Sequence, residues 1–282
     1  MEIVRARENA AMTSKKKDTN SNVEFVTQLL SLLDEWKTKV TSTFEGHHIF
    51  QRALKDAFEV FVNTEVKCTH SNTELIASYC DQVLRGKANL KELQMEDELQ
   101  RIVHLFTYIL DKDIFSEIYR KQLAKRLLKG RSASKDAEKS MISKLKLRCG
   151  AQFTSKHEGM LSDLEQGTNL IMYRQSVASS SGREFCFAGS KQMEAFAKWR
   201  DEQFQLGKQG AFKGVPVIDF NVRVLTTGCW PNFPNISIKL PSIFERYQQA
   251  FEQFYYENSQ NRYVDLVITE SCYRPFVHIP PV

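Results

Sequence analysis

The chain has 282 residues, and because single hydrophobic cores stop growing near ~250–300 residues, two folded units are expected. A composition of 42% hydrophobic, 11% aromatic and 26% charged residues excludes a disordered or fibrous protein, and no apolar run approaches the ~18–20 residues of a membrane-spanning helix. The net charge of +5 is local: Lys112 to Arg148 holds twelve Lys or Arg against four Asp or Glu, a local +8 that leaves −3 for the rest.

The first residues contain acids and no apolar core segment, so they do not read as a secretory signal, and cytoplasm and/or nucleus is the expected location. Residues 1–21, with the run Thr13-Ser-Lys-Lys-Lys-Asp, lack periodicity and read as a disordered leader. From Val23 the apolar residues fall three and four apart. Phe25, Leu29, Leu32, Leu33 and Trp36 predict one helix, and Phe50, Leu54, Ala57, Phe58 and Phe61 a second. A third runs from Asn72, read as its cap, to Leu84, with Gly86 to end it. A fourth carries Leu99, Ile102, Val103, Phe106, Ile109 and Leu110, with Glu96, Asp97 and Glu98 near its positive end.

The fifth helix, Ile114 to Leu128, carries Phe115, Ile118, Tyr119, Leu123 and Leu127 and stops at Gly130. Ser132, Ser134, Asp136 and Glu138 open a sixth, with Met141, Ile142 and Leu145, which Gly150 closes. Residues 22–164 therefore predict a helical bundle with short connections. Residues 165–214 read as an insertion or linker, broken by Ser179-Ser-Ser-Gly182 and holding a short helix from Lys191 to Phe204. Beyond it Val222, Val224, Ile236 and Ile238 alternate with polar residues, so two short strands and a helix from Pro241 to Tyr256 are expected. The predicted fold class is mainly α, a helical bundle followed by a small α+β unit, 215–256, and a tail, 257–282.

Nothing in the sequence assembles an active site. Walker, dinucleotide, zinc-protease and serine-hydrolase motifs are all missing. Cys68-Thr-His70 with Cys80 lacks a fourth ligand and paired spacing, so neither a metal nor a cofactor is expected. The six cysteines stand singly and read as free thiols. His47-His48 reads as surface, and Cys149 as core beside Leu145.

One cluster has the character of a site. Arg120, Lys121, Lys125, Arg126, Lys129 and Arg131 lie within three helical turns and the following link, with Lys121, Lys125 and Lys129 four apart on one face. Three readings compete there: a solvated helix face, an acidic protein partner, and nucleic acid. The third is disfavoured because Phe115 and Tyr119 belong to the packing stripe rather than standing exposed among the cations.

The run Lys112-Asp-Ile-Phe115, Tyr119 and Leu123-Ala-Lys-Arg-Leu-Leu128, followed by Ser132-Ala-Ser-Lys-Asp-Ala-Glu-Lys-Ser-Met-Ile-Ser-Lys-Leu-Lys146 and Cys149-Gly150, resembles the cullins. Phe50-Gln-x-Ala53-Leu54, Glu74-Leu-Ile-Ala-x-Tyr79-Cys-Asp81 and Val224-Leu-Thr-Thr-Gly-x-Trp230-Pro231 fit in the same order, so the resemblance covers about two thirds of the chain. It implies a non-catalytic scaffold of an SCF-like ubiquitin ligase, supporting ubiquitin-dependent degradation by proximity. It implies that the basic helix face meets an acidic segment of a ubiquitin-conjugating enzyme. It also implies that Val222, Val224, Ile236 and Ile238 belong to the sheet to which a RING-box protein adds a strand. The family's long N-terminal repeats and its C-terminal modifiable lysine have no counterpart here, so a truncated form without adaptor binding or neddylation is expected. A basic nucleic-acid binder or a truncated product without function are the alternatives.

Overall fold

A computed structural model describes residues 18–64, 71–87, 91–168, 191–205, 225–232 and 241–258. The described elements are helices: α1 Asp18–Thr43, α2 His48–Asn63, α3 Asn72–Leu84, α4 Glu92–Phe106, α5 Lys112–Lys129, α6 Lys135–Cys149, α7 Ala151–Thr168, α8 Lys191–Gln205 and α9 Ser242–Asn258. The chain divides into two compact units, Met1–His157 and Glu158–Val282.

In the first unit α3 is the central element. It packs against α1, α2, α4 and α5, while α6 packs on α4. Ten of its thirteen residues are buried, including Leu75, Ile76, Tyr79, Cys80, Val83 and Leu84, as expected of a helix surrounded by others rather than half-solvated. Helix α1 buries Phe25, Val26, Leu29, Leu30 and Leu33 in this core, and α4 contributes Leu99, Ile102, Val103, Leu105 and Phe106. Polar knots tie the helices where apolar contact alone would let them slide. Tyr79 Oη donates to Glu98 at 2.7 Å, Arg101 Nη1 to the other oxygen of Glu98 at 2.6 Å, and Arg101 Nε to Asp34 at 2.6 Å, joining α3, α4 and α1. Burial, then the Glu98 contact, pushes the Tyr79 phenol up to about 12.

Several sequence expectations need correction. Helix α1 begins at Asp18, inside the expected leader. Trp36 is exposed on α1, with the Lys39 ammonium 4.8 Å from its ring centre. On α2 only Phe58 of the predicted stripe is buried, and Phe50 stacks instead on Phe44 at 4.1 Å. The α3 cap is Ser71, whose Oγ accepts from Glu74 N. Asn72 is buried, and its side chain donates to Val62 O and Thr64 O. Helix α4 starts at Glu92 and ends at Phe106, so Glu98 is buried core rather than a helix-end charge, and Leu110 is exposed beyond the end. The serine cap expected for α6 is Ser134, whose Oγ accepts from Asp136 N and Ala137 N. Helix α7 was not anticipated, and it crosses the expected bundle boundary at 164. Among the described residues there is no strand. Val222, Val224, Ile236 and Ile238 lie outside them, as do Cys68 and His70.

In the second unit, Asp163 of α7 accepts from Thr226 N at 2.8 Å, Thr226 Oγ1 at 3.0 Å and Trp230 Nε1 at 2.8 Å. The turn they belong to lies so close that a Cβ on Gly159 would stand 2.5 Å from Cys229 Sγ. Helices α8 and α9 meet through the rings of Phe196 and Trp199 on one and Phe251 and Phe254 on the other, with centroids 5.4 to 5.8 Å apart.

Two glycines end helices in the left-handed region, Gly86 at φ +71 and Gly130 at φ +59, where a side chain costs roughly 1–2 kcal/mol. They differ in space: a Cβ on Gly86 would meet Ala133 Cβ at 3.3 Å, whereas nothing lies within 4 Å at Gly130. Urea unfolding should therefore show Gly130→Ala losing ~1 kcal/mol and Gly86→Ala losing more.

Candidate functional site

Helix α5 has two unlike faces. Phe115, Tyr119, Leu123, Ala124 and Arg126 are buried. Lys121, Lys125 and Lys129 are exposed, as is Arg131 just beyond the helix end, and none of these four makes an ion pair among the described residues. Gly130 in the left-handed conformation stops the helix, and Arg131 N then donates back to Arg126 O at 2.9 Å. The late Lys129 and the early Asp113 both complement the helix dipole.

The six cations therefore do not form one set. Arg120 is mostly covered, and its Nη2 donates to Glu117 at 2.7 Å, which holds the Glu117 carboxyl below the ordinary range. Arg126 is wholly buried. Its Nε and Nη2 grip both oxygens of Glu138, at 2.7 and 2.9 Å, and its Nη1 donates to Asp81 at 2.6 Å. Ser132 Oγ donates to Glu138 at 2.7 Å, and Tyr119 Oη approaches the same carboxylate at 3.5 Å. The guanidinium carbon stands 5.4 Å from the Tyr119 ring centre. On the far side, Arg85 Nε lies 2.8 Å from the second oxygen of Asp81, an ion pair without hydrogen-bond alignment. Burial works against the Arg126 charge, but the Glu138 contacts outweigh it and hold the pKa above its ordinary value. Burial likewise pushes the Tyr119 phenol well up and the Cys80 thiol up to about 12.

This arrangement is a structural lock rather than reactive chemistry, because every ionised group in it is engaged by an opposite charge. Cys149 is pushed up by burial as well, so neither it nor Cys80 is an activated thiolate. Among the described residues no group of His, Cys, Asp and Glu could hold a metal ion, and no helix is long and apolar enough to cross a membrane. His47 accepts from Ile49 N at the start of α2, and both it and His48 are exposed.

Asp81 and Glu138, the partners of Arg126, were legible in principle. Arg126 continues the Phe115, Tyr119, Leu123 stripe, Asp81 sits among Ala77, Cys80 and Leu84, and Glu138 precedes Met141 and Ile142 by one turn. A charge of each sign on a buried stripe is the signal of a buried pair.

Residues 1–170 match the family model described as the Cullin alpha solenoid domain. The chain belongs to the cullin family. It is 37% identical over 266 residues to Cullin-1 of Oryza sativa subsp. japonica, covering 92% of this chain and 32% of that protein. It is 34% identical over 264 residues to Cullin-2 of Arabidopsis thaliana (91% and 31%), and 35% identical over 233 residues to Cullin-4A of Mus musculus (82% and 26%). The cullin likeness thus reaches beyond the two thirds that the motifs covered, and the chain spans about a third or less of the length of these relatives.

Removing one partner of a buried pair strands the others, at about 3–5 kcal/mol. Arg126→Met should lose that much in urea unfolding, and Arg126→Met/Glu138→Leu should lose less than the sum of the two single changes. Acid acts elsewhere. Burial lowers the pKa of His157, whose Nδ1 has no partner among the described residues and whose Nε2 lies 3.4 Å from Ser116 O, and it also lowers that of His104. Both fold as neutral imidazoles, so the unfolded chain takes up protons first. Their contribution to stability is whole above ~6.5 and is lost as pH falls from there toward the lower folded values. Unfolding free energies measured from pH 7.5 to 5.5 should fall with pH, less steeply in His157→Phe.

Proposed function

We propose that this chain acts as part of a non-catalytic cullin scaffold in a ubiquitin ligase assembly, holding partner proteins near one another and promoting ubiquitin-dependent degradation by proximity. The observation that carries this reading is family membership over nearly the whole chain, 92% of it in one alignment. The contact surface we assign is the exposed stripe Lys121, Lys125, Lys129 with Arg131, facing an acidic segment of a ubiquitin-conjugating enzyme. Arg120 and Arg126 leave that surface, since their guanidiniums serve Glu117, Glu138 and Asp81. A RING-box protein is the second partner, and Val222, Val224, Ile236 and Ile238 are the residues proposed for its sheet. The proposed division is a helical unit from Asp18 through α7 to Thr168, a linker to 214, 215–256 as the α/β region and 257–282 as a tail, acting in the cytoplasm or nucleus.

A mobile acidic tail drawn to exposed lysines binds by long-range attraction, so its affinity depends on salt. In fluorescence anisotropy with an acidic-tailed conjugating enzyme, Lys121→Glu/Lys125→Glu/Lys129→Glu should weaken binding by about tenfold or more and flatten its salt dependence, with thermal stability retained. Co-expression should recover a RING-box protein with the chain at mild salt. Unchanged affinity of the triple variant would remove the stripe from the proposal, and failure to retain a RING-box protein would remove that partner.

A further inference from the structure

The part of α7 that lies in the first unit, Ala151–His157, is held unlike the other helices there. Phe153 is half-buried, and Ala151, Gln152, Ser155 and Lys156 are exposed. Thr154 is buried, but its Oγ1 donates back to Ala151 O in its own helix. The side chain that this stretch sends into the interior is His157, 1% exposed. Where α5 buries Phe115 and Leu123 and α6 buries Met141 and Leu145, α7 buries an imidazole.

The ring sits against α5. Its Nε2 lies 3.4 Å from Ser116 O, and its centroid is 5.3 Å from that of Tyr119, at 66°. Phe153, one turn earlier, bridges it to Phe106 of α4, with centroids 6.3 and 6.0 Å apart. A carbonyl only accepts, so Nε2 carries the hydrogen and Nδ1 presents a bare lone pair. Nδ1 is buried and has no partner among the described residues. A proton added there is a charged donor without an acceptor, in a place that water does not reach.

The groups facing the ring do not supply that acceptor. Burial is the largest opposition to a charge on it; the Ser116 contact favours one, Arg120 of α5 opposes it, Glu117 of α5 favours it and Lys156 of α7 opposes it. Glu117 is already held by Arg120 at 2.7 Å, and burial keeps the Tyr119 phenol neutral.

We propose that His157 is an acid-sensitive latch, in which a proton on Nδ1 releases Ala151–His157 from α5 while the contacts among α3, α5 and α6 stay closed. A charged imidazole gains water only by leaving its site, and it gives up one long hydrogen bond and ring contacts in doing so. Arg126, Glu138 and Asp81 form a separate set of contacts, so the release is local. Neutral when docked and ordinary when released, His157 holds α7 closed above ~6.5 and lets it open as pH falls from there.

The test is NMR-detected hydrogen exchange on the full chain, with rates corrected for the intrinsic effect of pH. One proton with a released pKa of ~6.5 can change protection at most about tenfold between pH 7.5 and 5.5. Protection of the amides of Ser155, Lys156 and His157 should fall about five- to tenfold over that range, while that of α3 stays within about twofold. His157→Gln, which still donates to Ser116 O but does not titrate, should remove the pH dependence, and His157→Phe gives the same reading if glutamine loosens the helix at every pH. His104→Phe should retain it. The His157 ring itself should titrate below ~6.5. The proposal is overturned by α7 protection that ignores pH, by a pH dependence that survives in both His157 variants, by parallel loss in α7 and α3, or by a His157 ring that titrates at ~6.5 or above.

Discussion

The first unit depends on one guanidinium that cannot give up its proton. Arg126 enters the interior charged, and water is replaced there by both oxygens of Glu138, one oxygen of Asp81 and the face of Tyr119. The bidentate fork tolerates little rotation. Through it α3, α5 and α6 share one fixed register, and Ser132 draws the α5–α6 link into the same contact. Ala133 N then donates to Leu84 O at 2.8 Å, so the link is also bound to the end of α3.

That lock gives α5 its two-sided character. With Phe115, Tyr119 and Leu123 packed and Arg126 held, the helix cannot turn about its axis, and Lys121, Lys125 and Lys129 keep a fixed direction toward solvent. In the proposed scaffold role such stiffness would matter, because effective concentration falls when the geometry between attachment points is loose. Like charges four residues apart repel slightly, and packing on the opposite face is what the helix has to offset this.

The helices of the first unit were largely legible because amphipathic periodicity survives wherever one face is buried and the other wet. Prediction failed where that contrast was weak or where another interaction decided. Helix α7 follows directly on Gly150 and carries Gly159, so its buried residues Thr154, His157 and Met160, only one of them apolar, gave no stripe to read. At Asn72 the side chain serves the preceding loop rather than the helix end, a choice only tertiary structure makes. Lys125 and Arg126 are adjacent basic residues with opposite fates. Composition counts both as surface charge, and their positions relative to Tyr119 and Leu123 separate them. The carboxylates that complete the cluster are distant in sequence, Asp81 by 45 positions and Glu138 by 12, which local pattern reading cannot join.

Asp163 and Thr226 stand 63 positions apart, yet they are hydrogen-bonded. Whatever chain lies between them leaves one short stretch of α7 and returns to it, with Trp230 closing the same carboxylate. The entropic cost of such a closed excursion rises only logarithmically, by roughly 0.6 kcal/mol for each doubling of its length. Three hydrogen bonds at the base can absorb that increment. The closure at the base is therefore set by one aspartate and one turn, and it holds whatever number of residues separates the two in sequence.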